Sequence, residues 1–600
     1  GALRKRAFRM ATDAGNRAEN QASRTTTRGP IHPGMVVRLV ASDYPGALEV
    51  FRRHGETDRP SIKFGHLEPI DRFAQRRGIP LKALMDELAE ATGAAIVWRD
   101  PDAWQPHRPF IATALVITLT LGAGWGTWLL TQIGLRGSLT AVSANSVVAH
   151  GEAQFWGFIA PFIIGIASGF LPKTTSSPRP PRAGLAALLA ALWMTVLGGF
   201  AWSLAPERLP WLGYASAAAA VLAALGYLGM AAGQVGDKWR TPWARFVLAS
   251  VLWMIVWAFV TCFLRVQAGA AGPGAYSDSA RNLLLEMALF GFAMNAVFGF
   301  GLRLLPGMLG KGAPKRPALE TTLALHNGGV LAMAVSHIGV MSGWLEALGA
   351  VLVAGGALPW VLGLHGTRVK AKSAPRPEAG PPLLPRYIQL ALFWFVVGLA
   401  MLAAGGIAAA VRGEPLPRAY TGATRHALTV GFLTTLILGV AQRLLPILSH
   451  DLLAWPRLVG PILILIGVGN ALRVGLELAT MAWPVAFWIM PFSSFLELTA
   501  LALFAANALR TLWPERDVLL RTGRVTELTR AAVLMAEHPW IEDHLVASGV
   551  GYFARVRSVP AELTLGSLAT SKKLDAAAIV AQINALLKAN EAGGTGEQAS

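Results

Sequence analysis

The chain has 600 residues, 53% of them hydrophobic and only 15% charged, with a mean hydropathy of +0.46. Water-soluble domains carry about a quarter charged residues, so most of this chain belongs in lipid. Its single cysteine, Cys262, excludes an intrachain disulfide and any cysteine cage for zinc or an iron–sulfur cluster.

Residues 1–33 are basic and polar and read as a disordered tail. A small helical cytoplasmic domain is expected over 34–101. It holds "DYPGALEVFRRHGE" and then "GIPLKALMDELAEATG", where Leu81, Leu84, Met85 and Leu88 share one helix face. Twelve apolar runs follow within 109–512, starting near Phe110, Asn145, Ala183, Leu212, Ala244, Asn282, Thr322, Trp344, Tyr387, Gly422, Leu458 and Trp483. Each is long enough to cross a hydrocarbon core of about 30 Å. A second small helical domain, 525–590, repeats the first: Tyr44–Pro45 matches His538–Pro539, and "PLKALMDELAEA" aligns with "DAAAIVAQINAL". Residues 591–600 form a second tail.

The net charge of +18 would suit a nucleic-acid binder, but its distribution argues for membrane topology instead. Basic residues collect in alternate loops, Pro172–Arg182, Gly236–Arg245, Gly310–Arg316 and His365–Pro377, while the turn at Met341 has none. This positive-inside bias places those loops and both termini in the cytoplasm of a bacterial inner membrane, with lipid as solvent and no nucleic-acid partner.

Three of the apolar runs are siblings. "VVAHGEAQFWGFIAPFIIGIASGFLP", "LLEMALFGFAMNAVFGFGLRLLP" and "TRHALTVGFLTTLILGVAQRLLP" align without a gap. Gly157, Gly165 and Pro172 match Gly291, Gly299 and Pro306, and then Gly431, Gly439 and Pro446. Small residues at this spacing let membrane helices approach closely, and the proline is expected to stop each helix. These are spans two, six and ten, so the fold class is an all-α polytopic membrane protein of three four-helix repeats. Internal symmetry of this kind places a site at the repeat interface.

His150 and Glu152 head the second span and His426 heads the tenth; ionisable groups at membrane depth are kept for function. His150, Pro161, Gly165 and Leu171–Pro172 stand in a pattern that resembles span two of haem–copper oxidase subunit I. His426 in "RHALTVG" resembles the partner histidine of span ten. The oxidase copper site is missing: span six has Glu286 and Asn295 but no histidine, and span seven has separated His326 and His337. The chain most resembles the NnrS family, twelve-span haem- and copper-containing membrane proteins of nitric oxide metabolism. "AHGEAQFWGF", "LHNGGVLAMAVSHIG" and "RHALTVG" carry that resemblance over 110–510. Both end domains resemble the small helical domain found beside hybrid-cluster and iron–sulfur-repair proteins. The cysteine that often follows the "FRRHG" element there is absent from "HGETDRP", so a docking or dimerising module is expected.

The resemblance implies haem b held by His150 and His426, with Arg473 as a clamp for its propionates or simply the ion-pair partner of Glu477. Gapless alignment puts His426 opposite Glu152 and Glu286, about 200° of helix rotation away from His150, which works against a shared iron under strict symmetry. Copper is a further candidate, with His337, Glu286 and His326 as metal residues beside the histidine pair. His326 and His337 lie eleven residues apart, about 16 Å along a helix, and cannot share one ion. The function implied is haem binding in a nitric oxide response, with nitric oxide or another diatomic as ligand, a quinol or other redox partner, and a cytoplasmic protein docking on the end domains. Two rivals stand beside it: a divergent quinol-linked nitric oxide or oxygen reductase, and a cofactor-free transporter or scaffold. The sequence leaves open whether the chain catalyses a reaction.

Overall fold

The computed structural model describes residues 30–44, 46–55, 69–77, 79, 81–96, 105–175, 177, 179–309, 312–338, 343–366, 383–449, 453–513, 524–531, 533–534, 538, 541, 564–571 and 573–594. Pro45, Pro539, the segment after Gly55, the turn at Met341 and most of the loop after His365 lie outside them, as do residues 1–29 and 595–600; residues 591–594, expected in the second tail, instead continue the helix Ala576–Gly594. The chain divides into two compact units, Trp104–Glu515 and a unit drawn from both ends.

Among the described residues, eleven helices of the first unit are long and apolar enough to cross a membrane. In chain order they are α1 (His107–Arg136), α2 (Ala144–Pro172), α3 (Arg182–Leu204), α4 (Pro210–Val235), α5 (Pro242–Ala271), α6 (Asp278–Pro306), α8 (Gly343–Leu364), α9 (Leu384–Arg412), α10 (Arg418–Ser449), α11 (Pro456–Ala479) and α12 (Ala486–Leu512). A further helix, α7 (Arg316–Ser336), occupies the expected seventh place and has the length to span. Its composition falls short because Glu320, His326, Asn327 and a glycine pair interrupt the apolar run, and its polar side chains face neighbouring helices.

In each repeat the second helix packs on the first through the aligned glycines. A Cβ on Gly157 would stand 2.3 Å from Ile117 of α1, on Gly291 2.8 Å from Trp253 of α5, and on Gly431 2.6 Å from Trp394 of α9. One step deeper, Gly165, Gly299 and Gly439 meet Phe110, Val247 and Tyr387 at 2.9, 2.8 and 2.5 Å. Each of these glycines therefore holds a backbone closer than any side chain would allow. The upper three sit in π-helical segments, Phe155–Ile159, Met287–Met294 and Ala427–Thr434. The aligned prolines do not end the helices as expected. Pro172 and Pro306 close the apolar stretches of α2 and α6 while the helices themselves run on to Thr175 and Leu309, and Pro446 lies inside α10, which continues to Ser449. A proline so close to a helix end removes one backbone bond without preventing a final turn.

In the unit drawn from the ends, the N-terminal module buries Val40, Val50, Phe51, Phe73, Leu84, Met85 and Leu88 around an edge-to-face pair, Phe51 and Phe73, 5.3 Å apart. The C-terminal module buries Leu534, Leu565, Leu568, Ile579, Ile583 and Leu587. The two make matching backbone bonds. Ile70 N–H donates to Met35 O as Leu565 N–H does to Thr529 O, both at 2.9 Å, and Ile79 to Ala74 matches Leu574 to Ala569 at 3.0 and 2.9 Å. His54 in the first module bonds Glu87 through Nε2 at 3.0 Å.

Candidate functional site

The ionisable residues singled out in the sequence gather where α2, α6 and α10 begin. α1 is bent there by a π-helical segment, Thr118–Gly122, and Gly122 has ψ −106°, far from the helical value near −42°. Its carbonyl leaves the helix ladder and lies 3.0 Å from Nδ1 of His150. Gly126, one turn on, gives the ring its room, since a Cβ there would stand 2.5 Å from His150 Cε1. His426 is held in the same manner by its own helix, with Nδ1 2.9 Å from Gly422 O. A carbonyl only accepts, so each Nδ1 donates, and the neutral ring carries its lone pair on Nε2. Neither Nε2 has a hydrogen-bond partner among the described residues.

His150 and His426 lie within electrostatic reach of one another, and Arg473 reaches both. Arg473 Nη1 pairs with Glu477 Oε2 at 3.0 Å and also meets Met490 Sδ at 2.9 Å. Glu477 in turn lies 3.7 Å from Nδ1 of His426, in a space that a side chain on Gly422 would fill. Deeper on α12, buried Glu497 feels both Arg473 and Glu477, and its Oε1 makes no hydrogen bond among the described residues.

The two acids aligned with His426 each turn to a partner of their own. Glu152, two residues past His150, turns away to α5, where Arg265 Nη2 donates to it at 2.8 Å and Nη1 donates to Ser216 at 2.7 Å. Arg265 is fully buried, so Glu152 is the partner of an arginine. Glu286 of α6 accepts from Nε2 of His337, at the end of α7, at 3.1 Å. Glu346, in the first turn of α8, joins them, and one ligand atom from each of the three lies within 4.8 Å of the others. Arg425 stands between the two groups: it bonds Asn282 Oδ1 at 2.7 Å and acts electrostatically on both Glu286 and Glu477.

His326 is apart from both groups. It is buried with Nε2 2.9 Å from Phe290 O, a carbonyl in the π-helical segment of α6, and its ring meets Phe298 edge-on at 5.0 Å. Asn295 and Asn327 exchange bonds at 3.0 and 3.1 Å beside it, and Trp253 donates to Asn327 at 2.8 Å. This amide cluster ties α5, α6 and α7 together where the π turn would leave polar backbone unpaired.

The family described as NnrS protein matches residues 103–516, more than half of the chain. The chain belongs to the NnrS family. It is therefore a nitric-oxide-related membrane protein. No curated protein matches it. The NnrS match covers every residue named in the site and leaves the two end modules outside.

Several site residues of this NnrS protein escaped the sequence reading. Arg265 carried a usable signal, a lone arginine inside an apolar run. Glu346 did not, because an acid in the first turn of a helix is ordinary. The role of Arg425 was hidden behind the histidine next to it, and Gly122 and Gly126 resemble any other glycines in a membrane helix.

Proposed function

We propose that this protein binds haem b through His150 and His426 in the bacterial inner membrane and acts there in the nitric oxide response. The reading rests on the matched pair of imidazoles, each with Nδ1 spent on a carbonyl and Nε2 free, within reach of each other and of one arginine. That arrangement suits metal-ligating histidines, whose second nitrogen is fixed by a hydrogen bond. Gly126 and Gly422 supply the room that the rings and Glu477 need. Bound there, a haem would supply an iron able to pass an electron or to take a diatomic such as nitric oxide.

The chain's own residues set the terms. His150 and His426 would hold the group, and the carbonyls of Gly122 and Gly422 would orient their rings. Arg473 is the cation available to haem propionates, its charge shared with Glu477. Glu497 lies within electrostatic reach of that pair, its Oε1 making no hydrogen bond among the described residues. The basic loops after α2, α4 and α6 point to the cytoplasm, which puts this end of the bundle on the outer side. The end modules would then face the cytoplasm and serve as docking surfaces for a protein partner. A quinol or another redox protein is the expected electron donor.

The test is haem content and the optical spectrum of the detergent-purified full chain, wild type beside His150→Ala and His426→Ala. The proposal expects a b-type spectrum in the wild type and its loss in both variants. A colourless wild type after expression with ample haem would overturn it and leave a transporter or scaffold.

A further inference from the structure

Glu286 and His337 stand 140 residues before His426 and Glu477, so the second and third repeats carry the same acid–imidazole pair with its members exchanged. The surrounding charge differs. In the third repeat Arg473 lies 3.0 Å from Glu477, and the second repeat has Met333 at that position. In the second repeat Glu346 adds a carboxylate where the third has Ala486. One repeat thus balances its acid with an arginine, while the other collects two acids and an imidazole. Among the described residues no lysine or arginine forms an ion pair with Glu286 or Glu346. Arg425 reaches Glu286 only at longer range, its guanidinium being spent on Asn282.

Two carboxylates converging at low exposure repel unless a cation or proton joins them. The Glu286 and His337 side chains are only 11% and 5% exposed. Ligand atoms of all three residues fall within 4.8 Å of one another, a span that a small side-chain adjustment closes onto one ion with bonds of about 2.0–2.2 Å.

We propose that Glu286, His337 and Glu346 bind one divalent first-row cation, in the chemical class of Mn2+, Fe2+ and Zn2+. Two carboxylates and an imidazole suit those ions, whereas copper(I) prefers soft sulfur. No thiolate is at hand, and Met333, one turn before His337, packs its stem against Gly349. Three protein ligands leave coordination positions for water or a small ligand. The site uses neither proposed haem ligand, so it stands or falls separately from the haem reading.

The experiment is a titration of the chelator-treated, detergent-purified full chain with Mn2+, following the free-ion electron paramagnetic resonance signal, with Zn2+ as competitor. One Mn2+ per chain, displaced by Zn2+, is expected. Glu346→Gln and His337→Ala should each weaken binding by more than about a hundredfold, beyond the effect of losing a residue that only supports a ligand. Glu320→Gln, in the half-buried cluster with Arg245 and Arg316, should bind as the wild type does. Circular dichroism and elution volume establish that each variant is folded. If His337→Ala fails to fold, the isosteric Glu346→Gln decides alone. A wild type that binds neither Mn2+ nor Zn2+, or an unchanged affinity in Glu346→Gln, overturns the proposal and leaves His337 as a hydrogen-bond partner of Glu286.

Discussion

At the scale of single residues, the candidate site depends on small groups placed beside polar ones. Gly126 is the sharpest case, because its missing Cβ is the space that His150 occupies. Gly126→Ala should push the imidazole off Gly122 O and, under the haem reading, reduce haem affinity by about ten- to a hundredfold, as measured by haem retained per chain on purification. Arg265 and Glu152 test the energetics. Removing one member of a buried ion pair strands the other and costs about 3–5 kcal/mol. Arg265→Met should therefore lower the unfolding midpoint in detergent markedly, while Arg265→Met with Glu152→Gln should recover much of the loss. A single variant as stable as the wild type would show that Glu152 is solvated by other means.

At the scale of elements, the π-helical segments do what a regular helix would not. They release carbonyls at Gly122 and Phe290, and a histidine donates to each. The two histidines then differ in what remains: Nε2 of His150 has no hydrogen-bond partner among the described residues, whereas Nε2 of His326 is the bonded atom. His326→Ala is therefore expected to destabilise α6 and α7 by about 1–3 kcal/mol for the carbonyl left without a partner, with haem content per folded chain unchanged. Thermal unfolding read beside the haem spectrum separates those effects. Helix positions, the three aligned spans and their glycines were legible in the sequence because lipid demands long apolar runs and close packing demands small residues. The π segments were not, since these stretches are apolar nearly all round and offer no polar face whose shift would betray an extra residue. For the same reason the alignment could set His426 opposite Glu152 without revealing that Glu152 would turn to Arg265.

At the scale of the molecule, three four-helix repeats bring nearly every singled-out ionisable residue to one end of a helical bundle. The repeats are alike in backbone packing and unlike in charge, with Glu152–Arg265 at the first, Glu286–His337 at the second and His426–Glu477 at the third. Apart from Arg265, the identities were readable in advance; the pairings between helices were not, because the partners lie far apart in the chain. Orientation is open to a direct test. In a Cys262→Ser background, Thr140→Cys between α1 and α2 should react with a membrane-impermeant thiol reagent in intact cells, and Arg240→Cys between α4 and α5 should react only after lysis. The opposite pattern would invert the topology.

The central claim is that His150 and His426 share one iron. Electron paramagnetic resonance of the oxidised protein addresses it most directly. The account predicts a single low-spin ferric signal that becomes high-spin in His150→Gly and in His426→Gly alike, and returns to low-spin when imidazole is added to either. A low-spin signal that survives either substitution would contradict it.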